Sequence, residues 1–193
     1  MGRAQGQSHA TAVARGTVKR RLSPAGFSLS EAGQEGIPAL ARLMAEVAQR
    51  TYSPAHAGES LERWVTENCT EQHFRYRIRR SGYRVLVARD ERGQILGTGT
   101  LRQRGNRADL SGIYALHPGT GTGRQILLAL ERAGAELGCN HARASVWRSN
   151  EPAKRFFAAR GLVRKGGYRE QTVGVMVDHY EGPLPLTWWE ARA

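Results

Sequence analysis

The sequence predicts a single mixed α/β domain, and three observations support this prediction. The chain has 193 residues, the length of one ordinary domain, and 40% of them are hydrophobic, which is enough for a packed core. Apolar residues recur at spacings of three and four in some segments and alternate in others, which are the patterns of helices and strands. Residues 25–193 contain neither an internal repeat nor a linker. We therefore treat this range as one domain.

The first part of the domain is predicted to be mainly helical. Its longest helix shows apolar residues at helical spacing from Ile37 onward, with Pro38 in the first turn, where proline is tolerated. A later helical stretch ends at Gly82, a residue that commonly follows helix ends. The predicted elements are, in order, a strand at 27–29, a helix at 37–47, a loop at 51–60, and helical stretches at 61–65 and 70–80.

The rest of the domain is predicted to mix strands with two helices. The segment 90–93 (DERG) fits a hairpin turn between two strands, and Gly138 ends a long amphipathic helix. Pro152 and Gly161 delimit a shorter helix. The predicted elements are strands at 83–89, 94–101 and 108–116, a helix after the glycine-rich segment 118–123, a strand at 142–147, a helix at 151–160, and strands at 162–169 and 172–180.

The chain is strongly basic, with a formal net charge of +12. Residues 1–24 are small, polar and basic, contain no acidic residue, and are predicted to form a flexible arm. Because basic chains gain affinity for polyanions through counterion release, nucleic acid is an alternative partner. We favour the interpretation that the arginines are solvated surface cations, since net charge governs solubility and steering rather than fold. The same two interpretations apply to a cluster formed by Arg75, Arg77, Arg79, Arg80 and Arg84.

Several classes of protein are excluded by composition. Two cysteines, Cys69 and Cys139, cannot form a disulfide framework, and no Cys/His cluster suggests a metal site. No apolar run approaches the roughly 20 residues that span a bilayer. The first residues lack the apolar stretch of a secretory signal. We therefore expect a cytoplasmic protein that binds no metal and no membrane.

The segment 117–124 (HPGTGTGR) carries the clearest chemical signal. Three glycines at alternate positions remove side chains from a turn between a strand and a helix, so backbone N–H groups can converge on an anion. The positive end of the helix dipole, two threonine hydroxyls and Arg124 add to this attraction. The segment lacks the Lys-[Ser/Thr] ending of nucleoside-triphosphate loops and the spacing of dinucleotide loops. A phosphate site is predicted, with a turn selected only for its shape as the alternative.

A second motif, at 150–162 (NEPAKRFFAARGL), follows the pattern N-x-x-A-x-x-F-Y-x-x-x-G-F. Together with the loop and the order of elements, it resembles the GCN5-related N-acetyltransferase (GNAT) superfamily over about residues 26–187. The resemblance implies a central, mostly antiparallel sheet of six or seven strands, flanked by helices and splayed beyond the fourth strand. It also implies an enzyme that transfers an acetyl group from acetyl-CoA to an amine of a small molecule or a protein.

The resemblance further implies how the cofactor is held. The glycine loop would bind the pyrophosphate, and unpaired backbone groups near Ile113, Tyr114 and Leu116 would bind the pantetheine arm. The amine would attack the thioester directly in a ternary complex, so no cysteine is needed as a nucleophile. Homodimers are common in the family. The expected cofactor-binding residues are Tyr114, Ala115, Leu116, Gly119, Thr120, Gly121, Thr122, Gly123, Arg124, Asn150 and Phe157.

The sequence departs from the family pattern at two positions. Pro118 stands where the loop usually has Gln or Arg, and the loop is about three residues shorter than usual. Phe157 stands where a tyrosine commonly protonates the departing thiolate. Tyr168 or a water is expected to serve as the acid instead, or the thiolate leaves unassisted. A non-catalytic acyl-CoA-binding regulatory domain and an RNA-associated acetyltransferase are the alternative functions.

The base and the acceptor site leave more alternatives open. Asp109, near the start of the fourth strand, is our first choice for the base that takes the proton from the amine. Ser111, Glu170 and His117 are further candidates. Two interpretations apply to three tryptophans: they form a wall of the acceptor pocket, or they pack in the core or at an interface. These tryptophans are Trp147, Trp188 and Trp189.

Overall fold

A computed structural model describes residues 26–56 and 58–184. The predicted arm at 1–24 and the pair Trp188 and Trp189 lie outside the described residues. The elements are β1 (Ser28–Glu31), a 3-10 turn (Gln34–Gly36), α1 (Ile37–Tyr52), α2 (Glu59–Asn68), α3 (Glu71–Arg79), β2 (Tyr83–Arg89), β3 (Ile95–Arg104), β4 (Arg107–Ala115), α4 (Thr122–Glu136), β5 (His141–Trp147), α5 (Glu151–Ala158), β6 (Val163–Arg169) and β7 (Met176–Pro183).

The strands form one seven-stranded sheet in the order β1-β2-β3-β4-β5-β7-β6. All neighbours pair antiparallel except β4 and β5, which run parallel. This parallel ladder covers only four residue pairs, from Arg107↔His141 to Leu110↔Ala144. Beyond it, β4 stays paired with β3 and β5 stays paired with β7, so the two strands diverge. The expectation of a mostly antiparallel sheet that splays beyond its fourth strand is therefore confirmed.

The two faces of the sheet bury separate apolar cores. One face packs against α1, α2 and α3, and the other packs against α4 and α5. The second contact requires a glycine in β3, because a Cβ at Gly99 would lie 2.5 Å from the Ile126 side chain and 2.9 Å from that of Leu130. Gly99 thus lets α4 lie close to the strands, which positions the first turn of α4 at the end of β4.

The first helix is longer than the pattern predicted. The prediction ended it at 47 and placed a loop at 51–60, whereas α1 continues to Tyr52. Tyr52 lies one turn beyond the buried Ala48, and its ring centroid is 4.1 Å from that of Trp147. Because Trp147 belongs to β5, far along the chain, the local pattern could not indicate this contact.

The last strand begins at Met176 rather than at residue 172 as predicted. The Glu170 carboxylate accepts a hydrogen bond from the Val173 N–H (2.9 Å), and the Glu170 N–H donates to the Val175 carbonyl (2.8 Å). These two bonds close a turn that delays the strand.

Among the helices of the described ranges, none combines the length and apolar content needed to cross a membrane.

Candidate active site

A cavity of about 680 Å³ lies where β4 and β5 diverge. Its wall is formed by the last turn of α1, the second half of β4, the loop 117–121, the first turn of α4 and the length of α5. A volume of this size is typical of small-molecule and cofactor sites. Most of the residues expected to bind a cofactor line it: Tyr114, Ala115, Gly119, Gly121, Thr122, Gly123, Arg124, Asn150 and Phe157.

One end of the cavity is formed by the glycine loop. Gly119 and Gly121 have φ angles of +84° and +83°, which favour glycine, and a Cβ at either would meet nothing within 4 Å. Gly121 precedes α4 and provides no side-chain cap, so the N–H groups of the first turn are available to a ligand. The Thr120 hydroxyl donates to the His117 carbonyl (2.9 Å) and lies 3.0 Å from that of Thr122. The Thr120 side chain therefore stabilises the turn, and Thr120 is not among the residues that line the cavity.

Two arginines add positive charge at this end, and one of them was not predicted. Arg124 and Arg160 both line the cavity. The Arg160 guanidinium lies 3.8 Å from the centroid of the Phe156 ring and donates to the Phe156 carbonyl (2.8 Å). Burial lowers the pKa of Arg160, and the nearby charge of Arg124 lowers it further, while Glu131 raises it. The loop end of the cavity is therefore suited to an anionic group.

The backbone of Leu116 is not free to bind a ligand. Its N–H donates to the Leu96 carbonyl (2.8 Å), and its carbonyl accepts a hydrogen bond from Arg50 Nη2 (2.8 Å). The expectation that Leu116 offers unpaired backbone groups is therefore wrong, because β3 and the end of α1 occupy both of them. Leu116 is also not among the residues that line the cavity.

The open edge of β4 is formed by other residues. Tyr114 pairs with Thr98 of β3 two residues before the bonded Leu116, so its N–H also points toward β3. Because N–H groups alternate in direction along a regular strand, that of Ala115 points away from β3, and Ala115 lines the cavity. A register shift opposite Gly112 and Ile113 interrupts this alternation before Tyr114. The backbone donor that the register assigns to the open edge is therefore Ala115.

The other end of the cavity contains polar side chains that α5 and α1 bring together. Asn150 caps α5, since its Oδ1 accepts a hydrogen bond from the Ala153 N–H (3.1 Å). Its Nδ2 donates to the Tyr52 hydroxyl (3.3 Å). The cap bond fixes which side of the amide faces Tyr52. Asn150 therefore connects the first turn of α5 to the last turn of α1.

An aromatic cluster surrounds Tyr52. Its ring packs at 4.1 Å on Trp147 and meets Trp64 edge-on at 6.3 Å. Trp147 is 6% exposed and is not among the lining residues, so it supports the cavity wall from behind. Burial raises the pKa of Tyr52, and hydrogen bonding to Asn150 and Tyr114 opposes that rise. Burial also raises the pKa of Tyr114.

The two residues expected to be catalytic lie away from the cavity wall. Asp109 accepts a hydrogen bond from Arg107 Nε (2.7 Å) and forms a salt bridge with Arg104 (2.9 Å). Tyr168 lies on β6 with its ring 5.3 Å from that of His179, and it is 46% exposed. Neither is among the lining residues, whereas Phe157, which has no hydroxyl, is.

Three serine side chains line the cavity, and two of them are hydrogen-bonded to histidines. Ser111, one of the other base candidates, lines the cavity. Ser145 Oγ lies 3.2 Å from His179 Nδ1, and Ser149 Oγ lies 2.8 Å from His56 Nε2. Of the remaining base candidates, His117 lines the cavity and Glu170 is occupied in the turn before β7.

No metal arrangement accompanies these groups. Within residues 26–56 and 58–184, His, Cys, Asp and Glu side chains nowhere gather in threes with the geometry of a metal site.

Many solved structures share this fold. PaiA N-acetyltransferase from Thermoplasma acidophilum, in complex with coenzyme A, is 19% identical and covers 79% of this chain and 97% of its own, with a TM-score of 0.69. A GCN5-related N-acetyltransferase from Rhodopseudomonas palustris is 20% identical and covers 88% and 100%, with a TM-score of 0.66. The spermidine/spermine N-acetyltransferase SpeG from Vibrio cholerae, in mutant form, is 15% identical and covers 88% and 99%, with a TM-score of 0.63.

Comparison of the sequence alone gives two results. No curated protein matches it significantly. The model of the acetyltransferase (GNAT) family, however, matches residues 43–162, which is more than half of the chain. The match begins within α1, includes the glycine loop and ends with the motif 150–162, which contains α5. This chain therefore belongs to the GNAT family of acetyltransferases.

Proposed function

We propose that this protein transfers an acetyl group from acetyl-CoA directly to an amine within a ternary complex. The observation that carries the proposal is that one cavity joins three features: a glycine loop with arginines, an exposed strand edge, and a group of polar side chains. Each feature matches a different part of coenzyme A. The loop and arginines would hold the phosphates, the strand edge would bind the pantetheine amides, and the polar side chains would face the thioester.

The residues present fit this cofactor chemically. The N–H groups at the start of α4, with Arg124 and Arg160, offer the donors and the charge that phosphates need. The outward N–H group of Ala115 can bind a pantetheine carbonyl as a neighbouring strand would. The same type of donor can stabilise the negative charge that develops on the thioester oxygen. The thioester supplies the activated acetyl group.

The protein then has to bring the amine to the carbonyl carbon and accept its proton. Holding the two reactants together in one cavity supplies most of the rate enhancement in a direct transfer. Three histidines are suited to receive a proton from the amine: His117, which lines the cavity, and His179 and His56, which are hydrogen-bonded to the lining residues Ser145 and Ser149. Burial lowers the pKa of His179, and the charge of Arg143 lowers it further, so its imidazole is neutral near neutral pH.

Two relatives support the choice of donor and acceptor class. PaiA was crystallised with coenzyme A, and SpeG is a spermidine/spermine N-acetyltransferase. An acetyl-CoA donor and an amine acceptor are therefore the simplest extension of family membership to this chain. A cytoplasmic location and a homodimer stay predictions.

The decisive experiment combines calorimetry with a thiol-release assay. We expect coenzyme A and acetyl-CoA to bind, and at least one amine in a panel of polyamines, amino acids, peptides and tRNA to release free thiol and appear acetylated by mass spectrometry. Absence of binding at millimolar ligand would overturn the proposal. Tight binding with no turnover would favour the regulatory alternative suggested by Phe157, and acetylated tRNA alone would favour the RNA-associated one.

A further inference from the structure

We propose that Tyr52 protonates the departing thiolate of coenzyme A. This inference rests on the proposed function and identifies the acid of the same site. Family resemblance would place a tyrosine at position 157, but the phenylalanine there has no proton to give. The structure offers a hydroxyl from a different element, the last turn of α1, in the wall of the same cavity.

The position of Tyr52 relative to Phe157 supports this replacement. Asn150 and Phe157 are seven residues apart, or about two helical turns, so they lie on the same side of α5. Both line the cavity, and the Tyr52 hydroxyl is hydrogen-bonded to Asn150. Tyr52 therefore enters the cavity wall on the side of α5 where a tyrosine at 157 would also present its hydroxyl.

The hydrogen bond from Asn150 uses a lone pair of the Tyr52 oxygen and leaves the Tyr52 proton to be donated elsewhere. Asn150 Nδ2 donates to this oxygen, and the amide cannot reverse because its Oδ1 caps α5. A phenol oxygen that accepts a hydrogen bond still has its own O–H to donate. Because Tyr52 lines the cavity, a ligand bound there can be the acceptor.

The surroundings also keep the ring still and the hydroxyl protonated. Trp147 packs on the Tyr52 ring and Trp64 meets it edge-on, so the side chain has little freedom to turn. Burial, the largest influence, raises the pKa of Tyr52 above its usual value near 10. The phenol therefore carries its proton at neutral pH, as an acid must.

The proposed step balances as follows. The amine nitrogen forms a bond to the acetyl carbonyl carbon, and the bond between that carbon and the sulfur breaks. The sulfur takes the electron pair of the broken bond and receives the proton from Tyr52 Oη. The amine releases one proton to its base, which passes a proton to solvent, and the Tyr52 oxygen regains a proton from solvent. The products are the N-acetylated amine and the free thiol, with no net change in the enzyme.

The first test compares turnover by three variants with the wild type. We expect Tyr52→Phe to lower kcat by about 100-fold or more, the usual contribution of a general acid, while the Kd for coenzyme A stays within about threefold. Tyr76→Phe, an exposed tyrosine of α3 outside the cavity, serves as the matched control. In the double variant Tyr52→Phe/Phe157→Tyr, the hydroxyl returns to the family position, and we expect kcat to recover by at least tenfold.

The second test does not depend on any acceptor. The ultraviolet absorbance of the thiolate reports the pKa of coenzyme A thiol bound to the enzyme. A hydrogen bond from Tyr52 stabilises the bound thiolate, so Tyr52→Phe should reduce its fraction at a given pH by about tenfold, consistent with a charged hydrogen bond. Thermal unfolding of each variant confirms that the proteins compared are folded.

The outcomes separate this inference from the proposed function. If the wild type binds coenzyme A but acetylates no amine, the proposed function is overturned, and the thiol pKa still decides whether Tyr52 contacts the sulfur. If the wild type is active and Tyr52→Phe matches it in kcat and in thiol pKa, the inference alone is overturned. A loss of kcat in Tyr168→Phe with none in Tyr52→Phe would also overturn it and assign the acid to Tyr168.

Discussion

The two ends of the cavity are constructed in different ways. The loop end is formed mainly by consecutive residues, 117–124, which offer backbone N–H groups, with Phe156 and Arg160 beside them. The opposite end, which we call the tyrosine end, consists of side chains from α1, β4 and the start of α5: Tyr52, Tyr114 and Asn150. The comparison teaches that a group of backbone donors can be encoded by a short segment, whereas a positioned hydroxyl requires tertiary packing.

The largest expected effect is on the packing behind the tyrosine end. Trp147→Ala removes a buried ring that packs on Tyr52, so we expect the free energy of unfolding to fall by about 3–5 kcal/mol. Denaturant unfolding measures this change. Phe156→Ala, at the loop end, removes a partly buried ring and should cost less. Equal losses in the two variants would show that the ends do not differ in their dependence on packing.

At the loop end, the expected effect is on affinity rather than stability. Arg124→Ala removes a cation from the cavity, and we expect the Kd for coenzyme A to rise by about 10–100-fold through loss of a charged hydrogen bond. Arg132→Ala, an exposed arginine on the same helix but outside the cavity, is the matched control. Calorimetry at two salt concentrations should show a weaker salt dependence for Arg124→Ala only.

A third prediction concerns the ion pairs of Asp178 in β7 with Arg148, which follows β5, and with Arg164 of β6. The buried Asp178 carboxylate accepts hydrogen bonds from Arg148 and Arg164 (2.9 Å each), which hold its pKa down to about 2. A depressed pKa stabilises the fold above the unfolded value near 4, and this stability is lost as the pH falls from about 4 to 2. We expect Asp178→Asn to be less stable by about 1–2 kcal/mol at pH 7, with the difference vanishing near pH 2.

Denaturant unfolding of both proteins between pH 7 and pH 2 checks this prediction. A difference in stability that stays constant over that range would contradict the assignment of the ion pairs as its cause.

The smallest expected effect returns to the loop end. Gly121→Ala places a Cβ on a residue with φ +83°, which should cost about 1 kcal/mol of unfolding free energy. Gly105→Ala, in the turn between β3 and β4, has φ +60° and the same open surroundings, so it should cost a similar amount. Only Gly121→Ala should also weaken coenzyme A binding, by about tenfold. Equal affinities in calorimetry would contradict a role for the loop backbone in binding.

Much of the fold could be predicted because its signals are local. The strands, the helices and the glycine loop each follow from periodicity, turn residues and two motifs. The predicted hairpin at 83–101 corresponds to β2 and to β3, which extends to Arg104, and the helix after the glycine loop corresponds to α4. The splay between β4 and β5 followed from the family resemblance that these motifs carry.

The polar side chains of the site were harder to predict, because their signals are not local. The Tyr52 hydroxyl is hydrogen-bonded to Asn150, almost 100 positions away, and nothing in its neighbouring sequence marks it. Asp109 has the right chemical type, but Arg104 and Arg107 bind its carboxylate outside the cavity wall. Arg160 lay within the quoted motif at a variable position, so the pattern gave it no weight. Residue type and spacing could not distinguish these cases.

The last turn of α1 is hydrogen-bonded to both sides of the gap in the sheet. Arg50 bonds the carbonyl that follows β4, and Tyr52 bonds the residue that precedes α5. Insertion or deletion of one residue within α1 would rotate this turn by about 100° relative to the gap, breaking both bonds at once. The length of α1 is therefore constrained by the site as well as by the core, whereas the loop after Tyr52 can change length without moving either bond.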